Sequence, residues 1–308
     1  MKIVKRPRRI APGKTTKFRT APTSAKYAEA YQFLSGKIAK WNAPTPDAAR
    51  AWLDKSHAKF PDQYGTLSHW DDAVGLEWTD FFTWGHDHDF GFGQKRDGAM
   101  MTRHLEIAAE AMSFGMLPKS LKGKTALDIG CWTGGDLLLL SALGADCTAL
   151  ESHPVSARAA RFLCKTVGCD AKIVTSDLYK DRKDWAQTFD LVYCSGVIYH
   201  VTDPLLALRI AFAYLKPGGR LIIETKSHSG TGATMSYSGS IEKGWNWFAP
   251  NRQSLGRWFV DAGFEQDKVV VQKRSNGRLL ATATKTKAAA MPDSTGFSRP
   301  GSWLTGVV

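Results

Sequence analysis

Residues 125–136, TALDIGCWTGGD, constrain this chain more than any other stretch. Thr125 to Ile129 is a short apolar run carrying one acid, and Gly130, Gly134 and Gly135 then turn the chain. DLLLLSALGA follows with a helical pattern of leucines and Ala142. An apolar run, a glycine turn and a helix predict the first half of a β-α-β unit. Such a unit offers backbone N–H groups and a helix N-terminus where glycine lets a ligand come close. The spacing narrows the ligand. A dinucleotide turn reads G-x-G-x-x-G, whereas Gly130 is followed by Cys131, Trp132 and Thr133 before Gly134. Asp128, two residues ahead of Gly130, would repel a pyrophosphate and attract a cationic group.

The next apolar run, CTALE, ends at Glu151, 21 residues beyond Gly130. In dinucleotide folds an acid roughly 20 residues on accepts hydrogen bonds from a ribose diol. Helix 154–167 begins at Pro154 and leads to strand 171–176, after which come Asp177 and Leu178. Asp177 either faces the ligand or caps the following helix. Residues 190–204, DLVYCSGVIYHVTDP, read as a buried strand, a turn at Ser195-Gly196, and a helix opened by Asp203-Pro204. That helix stops at Lys216-Pro217-Gly218-Gly219, and RLIIET, 220–225, is the fifth strand. A loop at 227–250, a helix from Asn251 to Ala262 and strands near 267–272 and 278–284 complete the pattern, with Asn276-Gly277 as the final turn.

The region ahead of residue 120 is read as a cap. An amphipathic helix spans Ser24–Trp41 and a second covers 46–58, with Pro46 at its start. Residues 60–97 read as aromatic-rich loop, and a helix spans 98–114. Within that loop HDHD, 86–89, puts His86 and His88 on one side and Asp87 and Asp89 on the other if extended. With no third ligand at a diagnostic spacing, no metal is assigned.

Charge bounds the partners. The chain of 308 residues carries a formal +12, of which eight Lys/Arg lie in residues 1–20 and five in 273–290, both without acids. The body is therefore nearly neutral, and the basic ends are either solvated tails or contacts to RNA by counterion release. No apolar run reaches the ~20 residues of a membrane span, and the N-terminus has no secretory apolar segment, so a cytoplasmic protein is expected. Five cysteines without metal-type spacing read as reduced structural residues. The expected domains are a basic disordered arm at 1–23, a helical and aromatic cap at 24–120, a catalytic domain at 121–286 and an irregular tail at 287–308.

Segment 125–264 resembles class I, Rossmann-like, S-adenosylmethionine (SAM)-dependent methyltransferases. SGVIYHVTDP, LKPGGRLIIET and WFAPNRQSLGRWFVDAGF are more specific and resemble the family that includes bacterial tRNA wobble-uridine 5-oxyacetate-forming enzymes. The resemblance implies an α/β fold with a seven-stranded, mostly parallel sheet, helices on both faces and an N-terminal helical extension. It implies SAM as cofactor, with carboxy-SAM as the variant used by the tRNA enzymes. Asp128, Gly130 and Gly134 would take the methionine end, Glu151 the ribose, and Asp177 and Leu178 the adenine, with Ser195 beside them. Tyr199 and His200 fall where methyl donor and acceptor meet, although either residue could simply pack.

A hydroxyl acceptor must lose a proton, and unperturbed histidine titrates near ~6.5. Glu224 and Lys226 end the fifth strand, where ligands bind in such sheets. Loop 227–250 would form a lid over the acceptor, with Trp247, Asn251 and Arg252 as contacts. Three functions are consistent with these residues: methyl transfer to an oxygen of a small molecule, tRNA wobble-uridine modification, and SAM binding without catalysis.

Overall fold

The computed structural model describes residues 24–39, 47, 50, 51, 53, 64–71, 76–91, 93–180, 182–240 and 246–286. The expected basic arm, irregular tail and most of helix 46–58 lie outside them. The chain opens with helix α1 (Ser24–Ile38), strands β1 (Tyr64–Asp71), β2 (Leu76–Thr83), β3 (His88–Gly91) and β4 (Gln94–Arg96), and helix α2 (Arg103–Ser113). Alternation follows: β5 (Thr125–Ile129), α3 (Gly135–Ala142), β6 (Asp146–Glu151), α4 (Pro154–Val167), β7 (Lys172–Thr175), β8 (Phe189–Ser195), α5 (Pro204–Tyr214) and β9 (Leu215–Thr225). The remainder is β10 (Met235–Ser240), β11 (Asn246–Pro250), α6 (Arg252–Asp261), β12 (Val270–Lys273) and β13 (Leu279–Thr284).

Seven strands form one sheet in the order β12-β13-β9-β8-β5-β6-β7. Pairings β5–β6, β6–β7, β5–β8 and β8–β9 are parallel, while β13 runs antiparallel to both β9 and β12. The strand order reverses between β5 and β8, the switch point where ligands bind beyond the carboxyl ends of strands. Side chains alternate between faces along each strand. Ala126, Leu191, Tyr193 and Ile222 therefore join a core with α1 to α4, while Leu127, Val192, Leu221 and Ile223 join another with α5 and α6. Leu137 to Leu140 of α3 are all buried, as befits a helix apolar on every side.

Two stretches expected as loop contain strands. Strands β1 and β2 pair antiparallel from Tyr64↔Thr83 to Asp71↔Leu76, and β3 pairs antiparallel with β4. In the second stretch, β10 and β11 pair from Met235↔Pro250, with a register shift between Tyr237 and Ser240. Aromatics and small polar residues there mask the period-2 signal that marks a half-buried strand. The cap docks onto the sheet's helices: Asp80 is ion-paired to Arg158 of α4, and the ring centroids of Trp84 and Phe162 are 6.3 Å apart.

Candidate cofactor and acceptor site

The turn after β5 closes tightly. Gly130 has φ +73°, and a Cβ there would stand 2.4 Å from Val197 Cγ2, so glycine is required on both counts. Trp132 adopts φ +50°, a left-handed conformation that is costly for a bulky residue and persists only when its surroundings enforce it. Glu151 enforces it, because its carboxylate accepts from Trp132 N–H and His153 N–H, both at 2.8 Å. Burial raises the Glu151 carboxyl above its ordinary value, against those two backbone donors.

Asp128 lies beneath this turn, 1% exposed, with Oδ2 unpartnered. Burial first, then the charges of Asp136 and Glu151, push its carboxyl well above the ordinary range. Asp136, in the first turn of α3, is half-buried with Oδ1 unpartnered. Burial, followed by the charge of Glu224, raises it to about 7. Asp136 was missed by sequence reasoning, since an acid in a helix's first turn ordinarily reads as a dipole partner.

The segment after β8 gathers several of the candidate residues. Tyr199 and His200 have ring centroids 4.1 Å apart, His200 exposed and Tyr199 half-buried. Lys226 Nζ stands 5.1 Å from the Tyr199 centroid and the Arg278 guanidinium 4.9 Å from it. Burial, then the neighbouring Arg278, lowers the Lys226 pKa. Trp247 N–H donates to Tyr199 C=O at 2.8 Å, so the β10–β11 hairpin is tied to the same corner. Leu178 is buried, Ser195 half-buried at the end of β8, and exposed Asp177 accepts from Tyr179 N–H at 2.6 Å.

Three side chains expected as acceptor contacts are engaged within the chain. Glu224 is 1% exposed, and its oxygens accept from Arg274 at 3.0 Å and from Arg278 at 2.5 and 2.7 Å. Asn251 caps α6 by accepting from Ser254 N–H, and its two amide hydrogens have Gly230 C=O and Gly232 C=O within reach, so its amide is engaged within the chain. Arg252 Nε donates to Val271 C=O at 3.1 Å and so clamps α6 to β12. These side chains brace the rim. Their chemistry alone does not tell a brace from a contact, because both use the same polar groups.

The HDHD segment is also a wall. His86, His88 and His104 are buried, and a Cβ on Gly135 would meet His86 Nδ1 at 2.2 Å. Gly85 N–H donates to Thr133 Oγ1 at 2.8 Å, which seats this segment on the glycine turn. Burial lowers His86 to about 4 and, with His86 nearby, His88 to about 3, so both are neutral near pH 7. No group of three or more His, Cys, Asp or Glu among the described residues is arranged to hold a metal.

A parallel switch point, an acid under a glycine turn and an acid closing the second strand are the layout of the Rossmann-like methyltransferase class. A model for the methyltransferase domain matches residues 101–269, over half of the chain, and the chain belongs to that family. It is 29% identical over 161 residues to a tRNA U34 carboxymethyltransferase of Alteromonas mediterranea, covering 49% of this chain and 47% of that protein. It is 27% identical over 157 residues to a ubiquinone biosynthesis O-methyltransferase of Xanthomonas axonopodis pv. citri, covering 48% and 65%. The chain thus spans about half the length of the tRNA relative. Among solved structures, a SAM-dependent methyltransferase from Mesorhizobium loti matches with 19% identity and a TM-score of 0.43, covering 56% of this chain and 95% of that one.

The residues present fit SAM. The unpartnered Asp128 Oδ2 supplies a negative pole, and the glycine at 130 keeps the approach clear of side-chain atoms. No helix among the described residues is long and apolar enough to cross a membrane.

Proposed function

We propose that this chain transfers the methyl group of SAM to an oxygen of a small-molecule acceptor. The observation that carries the reading is the buried, unpartnered Asp128 carboxylate beneath a glycine turn held by Glu151. When bound, SAM supplies an electrophilic methyl on a sulfonium. Asp128, Gly130 and Gly134 receive its methionine end, Glu151 its ribose, and Asp177, Leu178 and Ser195 its adenine side. Tyr199 and Trp247 shape the acceptor side, and Lys226 orients an anionic or polar group on the acceptor. His200, exposed against the Tyr199 ring, takes the hydroxyl proton as the acceptor oxygen attacks. Alignment of the two reactants supplies most of the acceleration. The name of the Xanthomonas relative, an O-methyltransferase, agrees with an oxygen acceptor.

A second reading, tRNA uridine modification with a carboxylated SAM, is favoured by two cations over the Tyr199 ring, Lys226 and Arg278, and by the name of the Alteromonas relative. Its RNA contact would be the basic N-terminal arm.

Mass spectrometry of molecules that copurify from a bacterial host separates the two. SAM or its demethylated product without RNA supports the first, whereas carboxy-SAM with tRNA supports the second. In the first case His200→Ala lowers turnover about a hundredfold or more and leaves SAM affinity unchanged. Full turnover of that variant removes histidine from the base role.

A further inference from the structure

Two buried charge clusters share the sheet face covered by α2 and α3. Asp128, Tyr193 and Glu224 fall on one face at the ends of neighbouring strands, since Asp128 is in register with Tyr193 and Ser195 with Glu224. In the first cluster Arg274 bonds Glu110 at 2.8 Å and Glu224 at 3.0 Å, and Arg278 bonds Glu224. Asp128 and Asp136 form the second and have no guanidinium or ammonium partner among the described ion pairs. Each keeps an unpartnered, inaccessible carboxylate oxygen.

A third group points to a ligand there. The Tyr193 hydroxyl, on a side chain 1% exposed, has no hydrogen-bond partner. Its strongest charged neighbour is Asp136, then Asp128 and Glu224. It comes near enough to Asp136 to oppose the rise of that carboxyl, without a hydrogen bond of good geometry. Two uncompensated carboxyls, with a buried hydroxyl beside them, lack a cationic donor. A primary ammonium, with three N–H groups and one charge, is that donor.

We propose that Asp128 and Asp136 together seat the α-ammonium of the cofactor's methionine end, with one proton released to solvent as the ammonium arrives. The inference rests on SAM as cofactor and adds Asp136 to its binding residues. The balance is simple: a carboxylic acid and an ammonium become a carboxylate–ammonium pair and one proton taken up by buffer. Like-charged carboxyls in one dry site do not both ionise without a cation.

Other groups face the pair: Glu151 from β6, Cys131 from the turn, Cys194 from β8 and Glu224 from β9, while Arg274 from the β12–β13 turn faces Tyr193. His86 stands behind Gly135. Burial raises both thiols above their ordinary value, and it drops His86 to about 4, so none of these three exchanges a proton near pH 7. Glu224 is neutralised by its two arginines.

Calorimetry of the full chain with SAM, S-adenosylhomocysteine and 5′-methylthioadenosine, at pH 6, 7 and 8 in buffers of different ionisation enthalpy, tests this. The first two carry the ammonium and the third does not. Affinity for the first two is expected to rise roughly fivefold from pH 6 to 7, with close to one proton released at pH 6, as linkage of a single group titrating at about 7 requires. The gain levels off near pH 8, where the ligand's own α-amino group titrates. Methylthioadenosine should bind equally at all three. Asp136→Asn should weaken SAM about tenfold at pH 7.5 and less than twofold at pH 6, with methylthioadenosine binding intact as the sign of a folded site.

Proton release shared by methylthioadenosine, or an Asp136→Asn defect equal at every pH, overturns the proposal while leaving the cofactor in place. Failure of all three ligands to bind overturns the cofactor reading and this inference with it.

Discussion

The cluster around Arg274 and the cluster around Asp128 lie on the same sheet face and are built of the same residue types, yet they do opposite things. Arg274 is 4% exposed and joins Glu110 of α2 to Glu224 of β9, while Arg278 covers the other side of Glu224. Every charge there has an answering charge within the chain. Asp128 and Asp136 have none, and burial drives both carboxyls up. A buried charge is tolerated when it is paired and hydrogen-bonded, and otherwise neutralises or waits for a partner. The compensated cluster is structure, fastening the β12–β13 hairpin to α2. The uncompensated cluster is the one we assign to the cofactor's ammonium.

The largest effect is expected where compensation is removed. Arg274→Met leaves Glu110 without its guanidinium and Glu224 with one of two, and should cost about 3–5 kcal/mol in urea unfolding. A variant as stable as the parent would mean the network is neutral and would erase the contrast. Next is Glu151→Ala, which removes the acceptor that holds Trp132 N–H. SAM affinity should fall at least tenfold, on the order of 1.4 kcal/mol, by calorimetry. Unchanged affinity would sink the ribose assignment.

The smallest and most diagnostic effect concerns Asp136 without cofactor. Its folded-state carboxyl sits near about 7, above the ordinary value of roughly 3.9. Between those values the folded chain binds more protons than the unfolded one, so stability falls as pH rises. Asp136→Asn should therefore stabilise the ligand-free protein at pH 8 by at least about 1 kcal/mol, and leave it unchanged at pH 4. A variant less stable than the parent at pH 8 would place Asp136 among the compensated groups. Saturating SAM should reverse the order, since a ligand that binds only the folded state adds stability to the parent more than to the variant.

The candidate site is legible in the chain as far as it is local. Asp128, Gly130 and Gly134 fall within seven consecutive residues, and Glu151, Asp177, Tyr199 and His200 each follow a strand whose apolar run is visible. What was not legible is what each acid would meet. Glu224 reads as a ligand contact at a strand end, and it becomes a brace because Arg274, 50 residues later, folds back onto it. The same holds for Asn251, whose amide is spent on Gly230 and Gly232. The two hairpins expected as loop were hidden for another reason, since their side chains do not alternate cleanly enough to reveal period two.

By itself, then, the sequence determined the alternation of strands and helices from β5 to β9, the glycine turn and the acids at the strand ends. These follow from apolar periodicity and from backbone angles that glycine alone adopts freely. The tertiary structure decided which acids are neutralised within the chain and which are left for a ligand. That choice depends on through-space distance between charges, such as Arg274 and Glu110, which lie 164 residues apart along the chain and 2.8 Å apart in the fold.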